Sequence, residues 1–282
     1  MFRSLCLILL VALTGLTACN STAPATAPVA ETATPAAAPL PDAQPWLSRL
    51  ATQDGCRDFT ADMRLSGEAA DGRPVQLEFR VQRKYSPDHT ATLLTVTAPP
   101  EETEKALLAT EKKDQPTEAI SYLAGLKKIA RFKSDSTRDL RGAKISVQEL
   151  LGLELSQYAP AQIERVTEGG ENLIKVTLQE KPDREMAYPH IEAYFRESSQ
   201  QPVRFDLFDQ QKKLVRVIRV LEVKPVQNYQ TLMRIEIEDK SSGHRVRLET
   251  VRVKYDQKLP DSIFTEANLT KLISAASRRL IQ

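Results

Sequence analysis

The chain has 282 residues, length enough for one large or two modest domains. It carries 39 Lys and Arg against 37 Asp and Glu, a balance that leaves no basic footprint for nucleic acid. With three Cys and three His in all, a disulfide framework is excluded and transition-metal ligands are scarce.

The first residues read MFRSLCLILLVALTGLTAC. Arg3 supplies a basic start, and Leu5 to Leu13 form an apolar stretch of about nine residues, well short of the ~20 a membrane-spanning helix needs. Leu16-Thr17-Ala18-Cys19 then reads as a lipobox: an apolar residue, two small ones that fit a signal peptidase, and a Cys whose thiol accepts diacylglycerol. The alternative is an ordinary secretory signal with a chance Cys. Asn20 rather than Asp follows, which favours the outer membrane, facing the periplasm. The expected boundaries are a signal at 1–18, a lipidated Cys19 and spacer at 19–45, and a folded domain at 46–282. Stable anchoring takes about two acyl chains. Residues 20–45 are rich in Pro, Ala and Thr and poor in large apolar groups, so they form an extended tether reaching up to roughly 80 Å. Cys6 leaves with the signal and Cys19 becomes the anchor, so Cys56 stands alone. It reads as a free, partly buried thiol or as half of an intermolecular disulfide.

Trp46, Leu47 and Leu50 fall at helical spacing before Gly55. From Phe59 the period becomes two. Phe59, Ala61, Met63 and Leu65 alternate with polar residues, Ala70-Asp71-Gly72 turns the chain, and Val75, Leu77, Phe79 and Val81 alternate again. The pattern recurs at 90–97, 119–123, 127–133, 162–167, 172–179, 190–196, 202–208, 213–224, 229–239 and 244–255. Such a succession of short strands predicts a mainly β fold: a strongly curved antiparallel sheet, barrel-like, with one wet and one dry face. Ser146 and Glu149 form a weak capping box ahead of Leu150, Leu151, Leu153 and Leu155. Leu269, Leu272, Ile273, Ala276 and Leu280 give a C-terminal helix an apolar stripe.

Several segments resemble the outer membrane lipoprotein-sorting protein family, with its LolA-like domain. Val75 to Tyr85 is similar to a family strand ending in a basic-aromatic pair, and Leu93 to Pro99 to a strand-then-proline element. Tyr122 to Arg131 resembles a Tyr-Leu-Pro…Leu-Lys-Arg-Val-Arg-Arg segment, with Ala124 in place of Pro. Leu140 to Leu150 resembles a Met-Gly-Ser-Asp…Glu-Asp-Leu segment, with Ala143-Lys144 in place of Ser-Asp; Glu104-Lys105 replaces a Gly after Pro99. Phe205 to Val223 is similar to a family hairpin. Leu259-Pro260-Asp261-Ser262-Ile263-Phe264-Thr265 gives the most specific match, to Leu-Pro-Asp-Ser-Leu-Phe-Thr. The resemblance implies a half-open β-barrel around a few covering helices, with an apolar cavity for acyl chains. It also implies a lipid or acylated lipoprotein as cargo and, by family context, an inner-membrane transporter as partner.

Leu65, Leu77, Phe79, Val81, Val176, Leu178, Phe195, Phe205, Val217 and Val251 are the candidates for the concave face, as packed core or as ligand-binding residues. No catalytic set stands out. There is no G-x-S-x-G elbow, no glycine-rich phosphate loop and no Cys/His or Asp/Asn metal spacing. His89, His190 and His244 lie singly in or beside strands or turns, and Asp206 with Asp209 reads as turn chemistry. Lys127, Lys128, Arg131 and Lys133 mark either the wet face of an edge strand or a contact for anionic headgroups. The expected function is a non-enzymatic lipid or lipoprotein carrier that needs no cofactor; the alternative is a structural adaptor without a ligand.

Overall fold

The computed structural model describes residues 42–43, 46, 55–68, 72–112, 115, 117–123, 128–133, 137–140, 143–146, 149, 153, 155–182 and 186–281. The expected signal, Cys19, most of the tether, Leu47, Leu50, Ala124 and Lys127 lie outside the described residues.

Fifteen strands appear among the described residues, in chain order β1 (Asp58–Glu68), β2 (Pro74–Tyr85), β3 (His89–Ala98), β4 (Ala106–Lys112), β5 (Glu118–Leu123), β6 (Lys128–Lys133), β7 (Thr137–Leu140), β8 (Ala143–Ser146), β9 (Tyr158–Glu168), β10 (Glu171–Glu180), β11 (His190–Arg196), β12 (Pro202–Phe208), β13 (Leu214–Val226), β14 (Tyr229–Asp239) and β15 (Arg245–Tyr255). Apart from the β7–β8 hairpin they form one curled antiparallel sheet that does not close into a barrel, in the order β6-β5-β4-β3-β2-β1-β15-β14-β13-β12-β11-β10-β9. It is two meanders joined where β1 meets β15.

Alternation fixes the register, because a slip of one residue would turn every apolar side chain to water. Leu65 lies opposite Leu77 on β2 and Leu248 on β15, and Met63 lies opposite Phe79. Phe205, Ile218, Ile237 and Val246 continue the same inner face across β12 to β15. Gly67 permits the close approach at this joint: a Cβ there would stand 2.7 Å from the Arg245 carbonyl oxygen.

The segment of the expected capping box is described only in part. Ser146 is the last residue of strand β8, Glu149 three residues on is helical, and Leu155–Gln157 form a 3-10 turn; Leu150 and Leu151 lie outside the described residues. The C-terminal helix, α1 (Glu266–Ile281), is present, with Thr265 Oγ1 accepting the Asn268 amide at 3.2 Å as its N-cap. Leu269 and Ile273 are buried against Leu93, Ala106, Leu108 and Ile120, on the outer face of β3 to β5. Leu272 is exposed, since one residue's turn of about 100° carries it off the narrow buried stripe.

The Leu259–Phe264 motif has a structural role in this arrangement. The buried Asp58 carboxylate accepts the Gln257 and Leu259 amides at 2.7 and 3.1 Å, and Lys84 Nζ donates to the Leu259 carbonyl at 3.0 Å and to Asp261 at 2.5 Å. The chain leaving β15 is thus tied to β1 and β2 and led to the outer face, where α1 lands.

Candidate functional site

The inner face carries one continuous apolar cluster drawn from both meanders. Of the ten residues singled out from sequence, Leu65, Leu77, Phe79, Val81, Val176, Leu178, Phe195 and Phe205 lie in it, all buried. Val217 does not join them. It pairs with Asp206 and Glu238 on the outer face, where it is buried outside the cluster. Val251 is the extra residue of a β-bulge on β15, between Thr250 opposite Met63 and Arg252 opposite Asp62, and it is exposed. Simple alternation along β15 puts Val251 on the wrong face because a bulge resets the parity of the strand.

Side chains from outside the large sheet close over the cluster. The Trp46 ring sits 5.6 Å from the Phe195 ring, tilted 58°. Ile145 from β8 and Tyr188, ahead of β11, are buried in it as well. Nothing in the period-two pattern points to these residues; Trp46 had a signal in its helical spacing with Leu47 and Leu50 and in being the one Trp of the chain.

Each end of the cluster is polar. At one end Glu149, with its side chain fully enclosed, sits 3.0 Å from Arg216 and accepts a hydrogen bond from the Tyr188 hydroxyl at 3.2 Å. Arg216 reaches Asp239 at 2.7 Å. Burial works against the guanidinium charge, but Glu149 and its neighbours outweigh it and raise the Arg216 pKa above its ordinary value. At the other end Arg83 pairs with Glu111 at 2.5 Å and lies over the Tyr85 ring. Tyr255 packs against Phe59 and Tyr229 and shares a 2.8 Å hydrogen bond with Thr231. Burial, then Asp256 and Asp58, push the free Cys56 thiol up to about 12, which leaves it without the thiolate that exchange or nucleophilic attack requires.

The other polar candidates have local tasks. His89 contacts the Asp88 carboxylate at 2.8 Å, and His190 stands edge-on to Phe208 beside Gln179. Asp209 accepts the Gln211 and Lys213 amides at 3.0 and 2.9 Å, which is turn chemistry. Asp206 is no part of that turn; it lies half a strand away on the outer face opposite Glu192. Arg131 is engaged within the chain, 2.7 Å from Glu266 of α1, while Lys128 is exposed. Among the described residues no three His, Cys, Asp or Glu converge on a metal position, and no helix is long and apolar enough to cross a membrane.

A family model described as an uncharacterized protein matches residues 88–271, well over half of the chain. No curated protein matches the sequence. Solved structures do. A domain from Vibrio parahaemolyticus assigned to outer membrane lipoprotein sorting matches with a TM-score of 0.71 at 17% identity, over 79% of this chain and 96% of its own. A DUF1329 family protein from Desulfovibrio piger gives 0.72 at 16%, over 80% and 96%. A LolA superfamily protein from Nitrosomonas europaea gives 0.67 at 19%, over 80% and 98%. At these identities the likeness concerns the fold.

Proposed function

We propose that the chain, which belongs to the family matched over residues 88–271 and shares its fold with LolA-like domains, is an envelope lipoprotein, held by an acylated Cys19 at the outer membrane, that carries lipid or lipoprotein acyl chains against its inner apolar face. The observation that carries this reading is the closure of the inner apolar face by Trp46, Ile145 and Tyr188, which do not belong to the large sheet. Side chains of this kind can be exchanged for a guest while the sheet register stays intact. Burial of hydrocarbon is worth ~0.8 kcal/mol per CH₂, so a sixteen-carbon chain supplies about 12 kcal/mol gross. Withdrawing one large aromatic costs roughly 3–5 kcal/mol. The exchange therefore has a favourable margin without any polar contact to the guest. The Trp46–Phe195 contact would be broken on entry, and Leu65, Phe79, Val176 and Phe195 would line the guest.

The competing reading is a structural adaptor with no ligand. It is favoured by the complete enclosure of Leu65, Ile174, Val176 and Phe195 by the chain itself. The single Trp separates the two. A fatty acid carrying a nitroxide on its tail should quench Trp46 emission on titration into the full chain, in competition with unlabelled fatty acid. An emission that stays constant, from protein free of co-purified lipid by mass spectrometry, refutes the carrier and leaves the adaptor.

A further inference from the structure

The outer face of β13, β14, β15, β1 and β2 is a ladder of paired charges. One paired row reads Arg219, Glu236, Arg247; the next reads Glu222, Arg234, Glu249, Arg64, Glu78. The signs alternate along the rows, but depth does not. Side-chain exposure is 60% for Arg245 against 7% for its partner Glu238, 63% for Arg247 against 12% for Glu236, 67% for Arg252 against 25% for Asp62, and 58% for Lys224 against 24% for Glu222. The carboxylates lie against the sheet and the cationic heads stand outside them; Arg64, set between Glu78 and Glu249, is the exception. A surface with balanced formal charge thus offers a cationic outer layer.

Two bulges add apolar groups to that layer. Leu221 is the extra residue between Val220 and Glu222 on β13, and Val251 is the extra residue on β15. They are 46% and 52% exposed, and neither belongs to the inner cluster. Two strands and about two residues of rise apart, they stand roughly 12 Å from one another, on either side of β14. Single exposed apolar residues are ordinary. A pair raised on bulges among outward-facing basic heads has the composition of an interfacial membrane contact.

We propose that this face docks on an anionic phospholipid bilayer, with Lys224, Arg245, Arg247 and Arg252 at the headgroup phosphates and Leu221 and Val251 entering the interface. The apolar pair is raised on exposed bulges among cationic heads, which suits a fluid interface better than a shaped protein partner. The docking is independent of whether the interior holds a guest.

Vesicle flotation of the full chain tests it, with phosphatidylcholine vesicles with and without phosphatidylglycerol, at low and high salt. An acyl anchor or an apolar leader binds both vesicle types, so the quantity to follow is the part that depends on anionic lipid. That part should vanish at high salt. The triple variant Arg245→Gln, Arg247→Gln, Arg252→Gln should lower it about a hundredfold, the product expected for three basic residues near an anionic surface. Those arginines partner buried carboxylates, so a second variant, Lys224→Gln with Leu221→Ser and Val251→Ser, guards against misfolding and should lower it about tenfold. Arg196→Gln, on the opposite half of the sheet, should leave it unchanged. Equal binding to both vesicle types, or indifference to both multiple variants, overturns the proposal. So does salt-sensitive capture by an acidic protein when the vesicles capture nothing.

Discussion

The two halves of the outer face use the same residue types and stack them differently. On β13 to β2 the carboxylates Glu236 and Glu238 are the deep partners. On β9 to β12 two bases are the deeper partners, Lys175 inside Glu164 and Arg204 inside Glu168, which it holds at 2.6 and 3.0 Å, while Asp206 lies deeper than Arg204. The difference follows from what lies beneath. Leu173 and Tyr194 are outward-facing and buried, so a long basic stem has an apolar platform to lie on. The Arg204 guanidinium rests 3.9 Å over the Tyr194 ring. The paired rows from β14 to β1 offer no ring or aliphatic platform of this kind. There the shorter Glu side chains stay near the backbone, and the longer Arg and Lys heads reach past them.

This contrast predicts unequal costs for the same substitution. Arg204→Ala removes the stacking on Tyr194 and leaves Glu168 and the buried Asp206 without their cation, so it should destabilise by about 3 kcal/mol. Arg247→Ala removes a largely exposed head from Glu236, which keeps Arg219 at 3.8 Å; its cost should stay below about 1 kcal/mol. Urea unfolding of the two variants measures both. Equal losses would mean that the platform is irrelevant and that depth is accidental.

The next effect separates the halves by pH. Hydrogen bonds from Lys240 and Arg219 outweigh burial at Glu238 and hold its carboxyl at about 2. A carboxyl whose folded pKa is depressed stabilises the fold above its unfolded value, near 4.3, and that contribution fades as pH falls toward 2. Asp239 adds to the same limb. Burial opposes its charge, but the Ser241 hydroxyl, Arg216 and the Ser242 and Ser241 amides prevail and also hold it at about 2. Glu238→Gln should therefore cost about 1–2 kcal/mol at neutral pH, discounted for the solvent over the pair. It should also flatten the loss of stability between pH 5 and pH 2, a window set by those two values. Thermal unfolding across that range checks it; an unchanged acid limb would transfer the acid sensitivity to other carboxylates.

Most of the sheet was legible because one face is dry and the other wet, and the strands it hid are those where this fails. Strand β4 reads Ala-Leu-Leu-Ala, with Leu107 and Ala109 on the inner cluster and Leu108 under α1. A strand buried on both faces shows no alternation, and only the landing site of α1, far away in sequence, explains it. The β7–β8 hairpin is four residues a side, too short for a period to declare itself. The inner-face candidates on β1, β2, β10, β11 and β12 came out correctly from alternation. Val251 did not, since a bulge is a property of the pairing with β1 and leaves no mark in the β15 sequence. Ile145 and Arg216 carried no signal, and Trp46 and Glu149 only a helical one, for a related reason: each matters through a tertiary contact with a residue far along the chain.

The smallest effect has the opposite sign and bears most directly on the contrast. Burial raises the Asp206 pKa; Arg204 pulls it down, and the Glu192 and Glu168 charges push it back up. Arg204 Nε stands 3.1 Å from Asp206 Oδ1, yet neither atom has a hydrogen-bond partner among the described residues, so the attraction lacks the geometry that would offset desolvation. A carboxyl with a raised folded pKa favours the fold at low pH and loses that contribution as pH rises through the folded value. The ionised Asp206 is then a net cost at neutral pH. Asp206→Asn should stabilise the protein at pH 7 by less than about 1 kcal/mol, with the gain shrinking toward pH 3, where the wild-type carboxyl carries its proton. The melting temperature at the two pH values decides it. A variant less stable than wild type at pH 7 would mean that Arg204 is worth more to Asp206 than burial costs, and that the two halves of the outer face obey one rule.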